Sequence, residues 1–219
     1  MTLKLFISIR SINATAVLWS TAVVVVLCLS NPTPIRADDT NAHLLAAELL
    51  IVRDDLTRLR DELNMPPAHV QGLRNRIQGS LGVMPWLLRT AGDVPGANLL
   101  RGTGPDDKDL IARLNDLIKR HPLDVSPYAP DRLTAKLRRE AFTIHDAYCA
   151  GCHDGTGQGD ADTALPARDL FLMARERLPE AFLARLINGV KGDKTLMFSN
   201  PLSPKQIGAL WLHYQKYLQ

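Results

Sequence analysis

The chain has 219 residues, 26 of them basic and 23 acidic, with 46% hydrophobic side chains and three cysteines. Lys4, Arg10 and Arg36 are the only charges before residue 38, so from there on 23 bases face 23 acids. That balance leaves no basic surplus for nucleic acid, and two cysteines after residue 37 exclude a disulfide-stapled framework.

Residues 1–37 have the order of a signal peptide. Lys4 and Arg10 form a basic start, Ala14 to Leu29 an apolar core, NPTP a helix breaker, and Ala37 a small residue at the cleavage point. The core's 16 residues fall short of the roughly 20 that span a bilayer. Cleavage after Ala37 is expected, with retention as an N-terminal membrane anchor as the alternative. Cys28 is preceded by the large Leu27, which disfavours a lipid-attached cysteine. Export places the protein in the periplasm.

Residues 38–120 read as a helical domain. Leu45, Leu49, Val52, Leu56, Leu59 and Leu63 recur in alternating steps of four and three, one apolar seam along a helix over 42–64. The seam pairs with the second helix or, alternatively, with a second copy of the chain as a homodimer through 45–63. The second helix is expected from Pro67 to about Val83, stopped by Met84-Pro85. After a Gly/Pro-rich turn, DDKDLIARLNDLIKRH reads as a third helix, acids first and bases last. Residues 121–130, HPLDVSPYAP, have three prolines in ten and read as a linker.

Residues 131–219 open with a helix from about Asp131 to Tyr148 that runs into CAGCH, residues 149–153. A Gly-rich loop follows, then short helices near 169–176 and 179–188. The loop GVKGDKTLMFSNPL comes next, and a last helix capped by Ser203. The expected fold is all-α, a three-helix domain followed by a second helical domain.

CAGCH contains both cysteines that remain after residue 37. A zinc site needs about four ligands, and no second CxxC or spaced histidine pair supplies them. A thioredoxin-type CxxC follows a strand and opens a helix, whereas these cysteines close one. A covalently attached haem accounts for all three residues. Two thiols three positions apart on a helical turn reach the two vinyl groups of one porphyrin as thioethers. The histidine after them is carried beneath the ring, where Nε2 can ligate iron.

With this motif, residues 131–219 resemble the class I c-type cytochromes of the short bacterial kind. Cys149, Cys152 and His153 match the attachment motif, and GTGQG after it matches the glycine-rich loop. The resemblance implies that the carbonyl of Pro166 accepts a bond from His153 Nδ1. It implies Met197, after Gly189, as the sulfur ligand on the other face of the iron. It also implies that the last helix, with Trp211, Tyr214 and Tyr217, packs across the first. Met173 competes for the ligand position but sits in a helical stretch; Met65 and Met84 lie in the other half. Two positions depart from the pattern: Ala141 stands where glycine is usual at the helix crossing, and His145 where an aromatic is usual. His145 is expected to pack as a flat semi-polar ring, or else to act as a ligand or titrating group. His213 is expected on the helix surface.

The resemblance implies a periplasmic monohaem electron carrier, not an enzyme, exchanging single electrons with a dehydrogenase, an oxidase or another cytochrome. The alternatives are a haem enzyme or gas sensor whose sixth ligand is absent or displaceable, and a cytochrome subunit of a fixed oxidoreductase complex held by the N-terminal helices. The helical domain over 38–120 is expected to dock or dimerise the carrier. A degenerate haem-less repeat around GSLGVMPW, residues 79–86, is the minor alternative for that half.

Overall fold

Helical periodicity in the sequence becomes helix throughout the described chain. The computed structural model describes residues 37–129, 132, 134–154, 168–189 and 200–216, and no strand occurs among them. The fold of these residues is all-α. The expected signal peptide lies outside them except for Ala37, which opens α1 (Ala37–Asp61). Among the described residues no helix is long and apolar enough to cross a membrane.

α1 and α2 (Pro67–Thr90) form an antiparallel hairpin around a five-residue turn. Its register is set by Ser80 donating to buried Glu48 and by Arg76 pairing with Asp55 at 2.5 Å. Leu45, Leu49, Val52 and Leu56 of the seam are fully buried against Ile77, Leu81 and Met84 of α2 and against Leu114 and Leu117 of α4 (Leu110–Arg120). The seam is therefore covered from within the chain, and a homodimer through it would have to open this core. Leu63 lies beyond the helix end and is exposed.

α2 does not stop at Met84-Pro85. Pro85 sits inside it, and the helix continues because Leu87 and Leu88 are both buried in the core. Their burial, worth roughly 1.5–3 kcal/mol each, offsets the main-chain bond that proline removes. GSLGVMPW is thus continuous helix, with Met84 wholly buried. The Gly/Pro-rich stretch after it is not only a turn, for it holds the short α3 (Val94–Leu99), capped by Asp93 through Gly96 N at 2.8 Å.

The opposite side of α1 is buried as well. Ala47, Leu50 and Ile51 pack on Leu183, Ala184 and Ile187 of α8 (Pro179–Asn188), in a second core shared with Tyr128. Beside it runs a buried ionic network. Arg185 donates to Asp54 at 2.7 Å and to Asp55 at 2.5 Å, and Arg177 reaches Glu62 at 2.7 Å. Burial lowers the Arg76 guanidinium, while at Arg185 the paired aspartates outweigh burial and hold the proton more firmly. The chain from Ala37 onward forms one compact unit, and the boundary expected at 121–130 falls inside it. That stretch is docked: the 3₁₀ turn Ser126–Tyr128 buries Tyr128, whose hydroxyl meets His43 Nε2 at 2.6 Å.

A third core joins α5 (Ala135–Tyr148), α7 (Leu170–Glu176), α8 and α9 (Pro204–Lys216). Ala141 is fully buried in it, in one cluster with Ala209 and Leu210, so the small side chain occupies the α5/α9 crossing. Ser203 caps α9 as expected, exchanging bonds with Gln206 at 2.9 and 3.4 Å in a capping box.

Candidate functional site

α5 starts at Thr134, whose hydroxyl accepts from Leu137 N at 3.2 Å, and delivers CAGCH at its far end. Cys149 (φ −118°) marks a slight break, after which α6 (Ala150–His153) adds one more turn. His153 N donates back to the Cys149 carbonyl at 3.0 Å, so Cys149 and His153 stand one turn apart. Cys149 is half-buried; the side chain of Cys152 lies outside the described residues.

The ring of His153 is fixed from behind. Its Nδ1 lies 2.6 Å from the carbonyl oxygen of Arg168. A carbonyl can only accept, so Nδ1 carries the proton and Nε2 of the neutral ring keeps a lone pair for a metal. The acceptor anticipated for this bond was Pro166, which lies outside the described residues. The bond is made instead by Arg168, two positions on, where the chain returns past His153 to enter α7. Arg168 is held there by its own ion pair to Glu176 and by the N-cap Asp169, which accepts from Leu172 N at 2.9 Å.

His145 is buried at the α5/α9 crossing among Phe171, His213 and Tyr214. Its Nε2 lies 3.0 Å from the Asp154 carboxylate and its Nδ1 2.9 Å from the Tyr214 hydroxyl. The carboxylate accepts from Nε2–H, and in the neutral ring Nδ1 then accepts from the Tyr214 hydroxyl. With both nitrogens engaged, His145 packs as a semi-polar ring and presents no lone pair to iron. Burial first, and then the neighbouring Cys149 sulfur, hold the Tyr214 hydroxyl well above its ordinary range. Asp154, His145, Tyr214 and Cys149 therefore form one contiguous polar chain behind the Cys149–His153 turn.

His213 corrects an expectation. It is buried, not on the helix surface, because α9 turns that face toward Phe171 and His145. Burial, and then the charge His145 can carry, lower its pKa below 6.5.

Gly189 closes α8 with φ 65°, a conformation glycine adopts without strain. Asn200 sits against it: its amide donates to the carbonyls of Leu186 at 2.5 Å and Ile187 at 3.1 Å. The stretch 190–199, with Met197, lies outside the described residues, as does GTGQG; its two flanking residues are thus brought together at the end of α8.

Arg168 and Asp154 are the site residues the sequence reading missed. Asp154 adjoins the motif and could have been flagged as a partner for a nearby histidine; no sequence signal singles out the Arg168 carbonyl. Among the described residues no group of three or more His, Cys, Asp or Glu is placed to hold a bare metal ion. One thiol position, a metal-ready Nε2 with its tautomer fixed and a half-buried helical turn fit a covalently attached haem. Comparisons with family models, with characterised proteins and with solved structures find no match to this chain.

Proposed function

We propose that the chain is an exported, periplasmic monohaem c-type cytochrome that passes single electrons between protein redox partners such as a dehydrogenase, an oxidase or another cytochrome. The observation that supports this most directly is the 2.6 Å bond from His153 Nδ1 to the Arg168 carbonyl, on the turn that bears Cys149. Such a bond fixes ring orientation and raises the basicity of the free nitrogen, as expected of a metal-ligating histidine. Cys149 and Cys152 would hold one haem through thioethers, with His153 and Met197 as iron ligands. The haem would supply a one-electron iron couple, and a thioether ligand favours the ferrous state.

The chain's own residues set the frame. Arg168 orients His153, and the Asp154–His145–Tyr214 chain ties the end of α6 to α9. Gly189 and Asn200 hold the ends of the stretch that carries Met197. The test is export in a host that attaches haem to CxxCH, followed by a haem stain of the denatured protein. The stain is expected to stay with the polypeptide and to vanish in the Cys149→Ser/Cys152→Ser double variant. A denatured chain that carries no haem contradicts the proposal.

A further inference from the structure

α7 is short and thinly packed. Of its seven residues, Leu170 and Ala174 are buried, and Phe171 meets the rings of Tyr214 and His145 edge-on. Both of its ends are nevertheless tied down. At the start, Asp169 caps the first turn, and the Arg168 carbonyl just before it accepts the bond from His153 Nδ1 at 2.6 Å. At the end stands Arg177, with its side chain 11% exposed. Its guanidinium leaves the helix for two carboxylates of the α1–α2 hairpin, Glu62 at 2.7 Å and Asp54 at 3.8 Å.

Side chains along α7 join these two ends. Arg168 pairs with Glu176, eight positions on, and the Glu176 carboxylate lies 3.8 Å from the Arg177 guanidinium. Glu62, Arg177, Glu176 and Arg168 thus form one file of alternating charge. It runs from the tip of the hairpin to the residue whose carbonyl fixes His153. Glu62 and Arg168 also line one cleft beside the hairpin turn. Hydrogen bonding from Arg58, and then from Arg177, outweighs burial and holds the Glu62 carboxyl down at about 2, so its charge persists at neutral pH.

We infer that Arg177 is a positioning residue for His153: held by Glu62 and Asp54, it sets where α7 lies, and so where the Arg168 carbonyl stands behind the imidazole. The N-terminal hairpin then serves the redox site itself, as the abutment for its histidine ligand. A seven-residue helix is only about 10 Å long, so a tilt at the Arg177 end is carried to the Arg168 end. A lengthened bond to Nδ1 leaves Nε2 a weaker donor to iron. The inference rests on the proposed haem, with His153 as a ligand.

The test compares Arg177→Gln with wild type as haem-loaded full chains. In the variant both acids keep a cation, Glu62 through Arg58 at 2.9 Å and Asp54 through Arg185 at 2.7 Å, so no carboxylate is left bare. Two quantities are read: the reduction potential, and the solvent-exchange rate of the His153 Nδ1 proton in the ferrous protein by NMR. Exchange is expected to quicken severalfold and the potential to rise, because a weaker imidazole donor favours ferric iron less. Removing a positive charge has, by itself, the opposite sign and lowers the potential. Arg76→Gln, which takes a cation from Asp55 between α1 and α2, is expected to change neither quantity. A potential that falls or stays, or an unchanged exchange rate, overturns the inference while the haem reading stands. Equal shifts in Arg76→Gln overturn it too, since they mark a general loosening. A denatured chain that carries no haem overturns the haem reading and the inference together.

Discussion

At the residue scale, His145 shows how a position that departs from a familiar pattern is made tolerable. A histidine in an apolar crossing needs partners for both nitrogens, and Asp154 and Tyr214 supply them. Tyr214→Phe removes one hydroxyl and leaves Nδ1 unpartnered, which should cost about 1–2 kcal/mol in urea unfolding. His145→Ala takes one partner from the Tyr214 hydroxyl, leaves Asp154 without its imidazole and opens a cavity as well, and should cost about 2–4 kcal/mol. Equal losses in the two variants would show that the Asp154 bond and the ring packing contribute nothing. His213 makes stability depend on pH. Its folded pKa is depressed, so below about 6.5 the unfolded chain binds more protons and stability falls with pH until the folded value is passed. Unfolding midpoints taken from pH 7.5 down to 5 should show this fall, and His213→Gln should flatten it. In the sequence CAGCH stood out by residue type and spacing, and His145 as a departure from the pattern that the resemblance supplies. The sequence could not show that His213 faces inward, since a helix with Trp211 and Tyr214 beside it can turn either face to the core.

At the element scale, α2 runs through a proline that local preference would make its end. Propensity is a short-range bias, and here the burial of Leu87 and Leu88 on the far side overrides it. Because Pro85 leaves one carbonyl unbonded within the helix, Pro85→Ala should stabilise the protein by about 1–3 kcal/mol. Thermal melting checks this, and a lower midpoint would mean that the proline fits a bend the packing requires. α1 illustrates the opposite limit of legibility. Its Leu45–Leu56 seam was plain because alternating steps of four and three have one explanation. Its second buried face was hidden in the run Leu49–Leu50–Ile51–Val52, which places apolar groups around the helix without stating what covers them. The helices that follow CAGCH were legible to within a residue or two, since Asp169, Pro179 and Ser203 are strong start signals.

At the scale of the whole molecule, the two halves expected from the sequence share α1. One face of it closes the N-terminal core, the other packs on α8, and Asp54 and Asp55 bind Arg185 between them. No sequence rule pairs charges 130 residues apart, so the shared core was invisible before the fold was known. Asp55 is wholly buried, and Arg185→Ala would leave it with Arg76 as its remaining cation. Stripping one partner from a buried ion network should cost about 3–5 kcal/mol. It should also split one unfolding transition into two as the halves lose their shared contact; a single unchanged transition would show that the network is dispensable. At one end of this frame α5 presents the Cys149–His153 turn that Arg168 fixes, and the proposed haem attachment rests on that turn. The measurement that tests this most directly is the absorption spectrum of the haem-loaded protein, oxidised and reduced, beside that of Met197→Ala. The account predicts a low-spin haem with a weak sulfur-to-ferric-iron band that the substitution abolishes. A high-spin spectrum, or one that Met197→Ala leaves unchanged, would contradict electron carriage by a His153/Met197-ligated haem and point to a site open to small ligands.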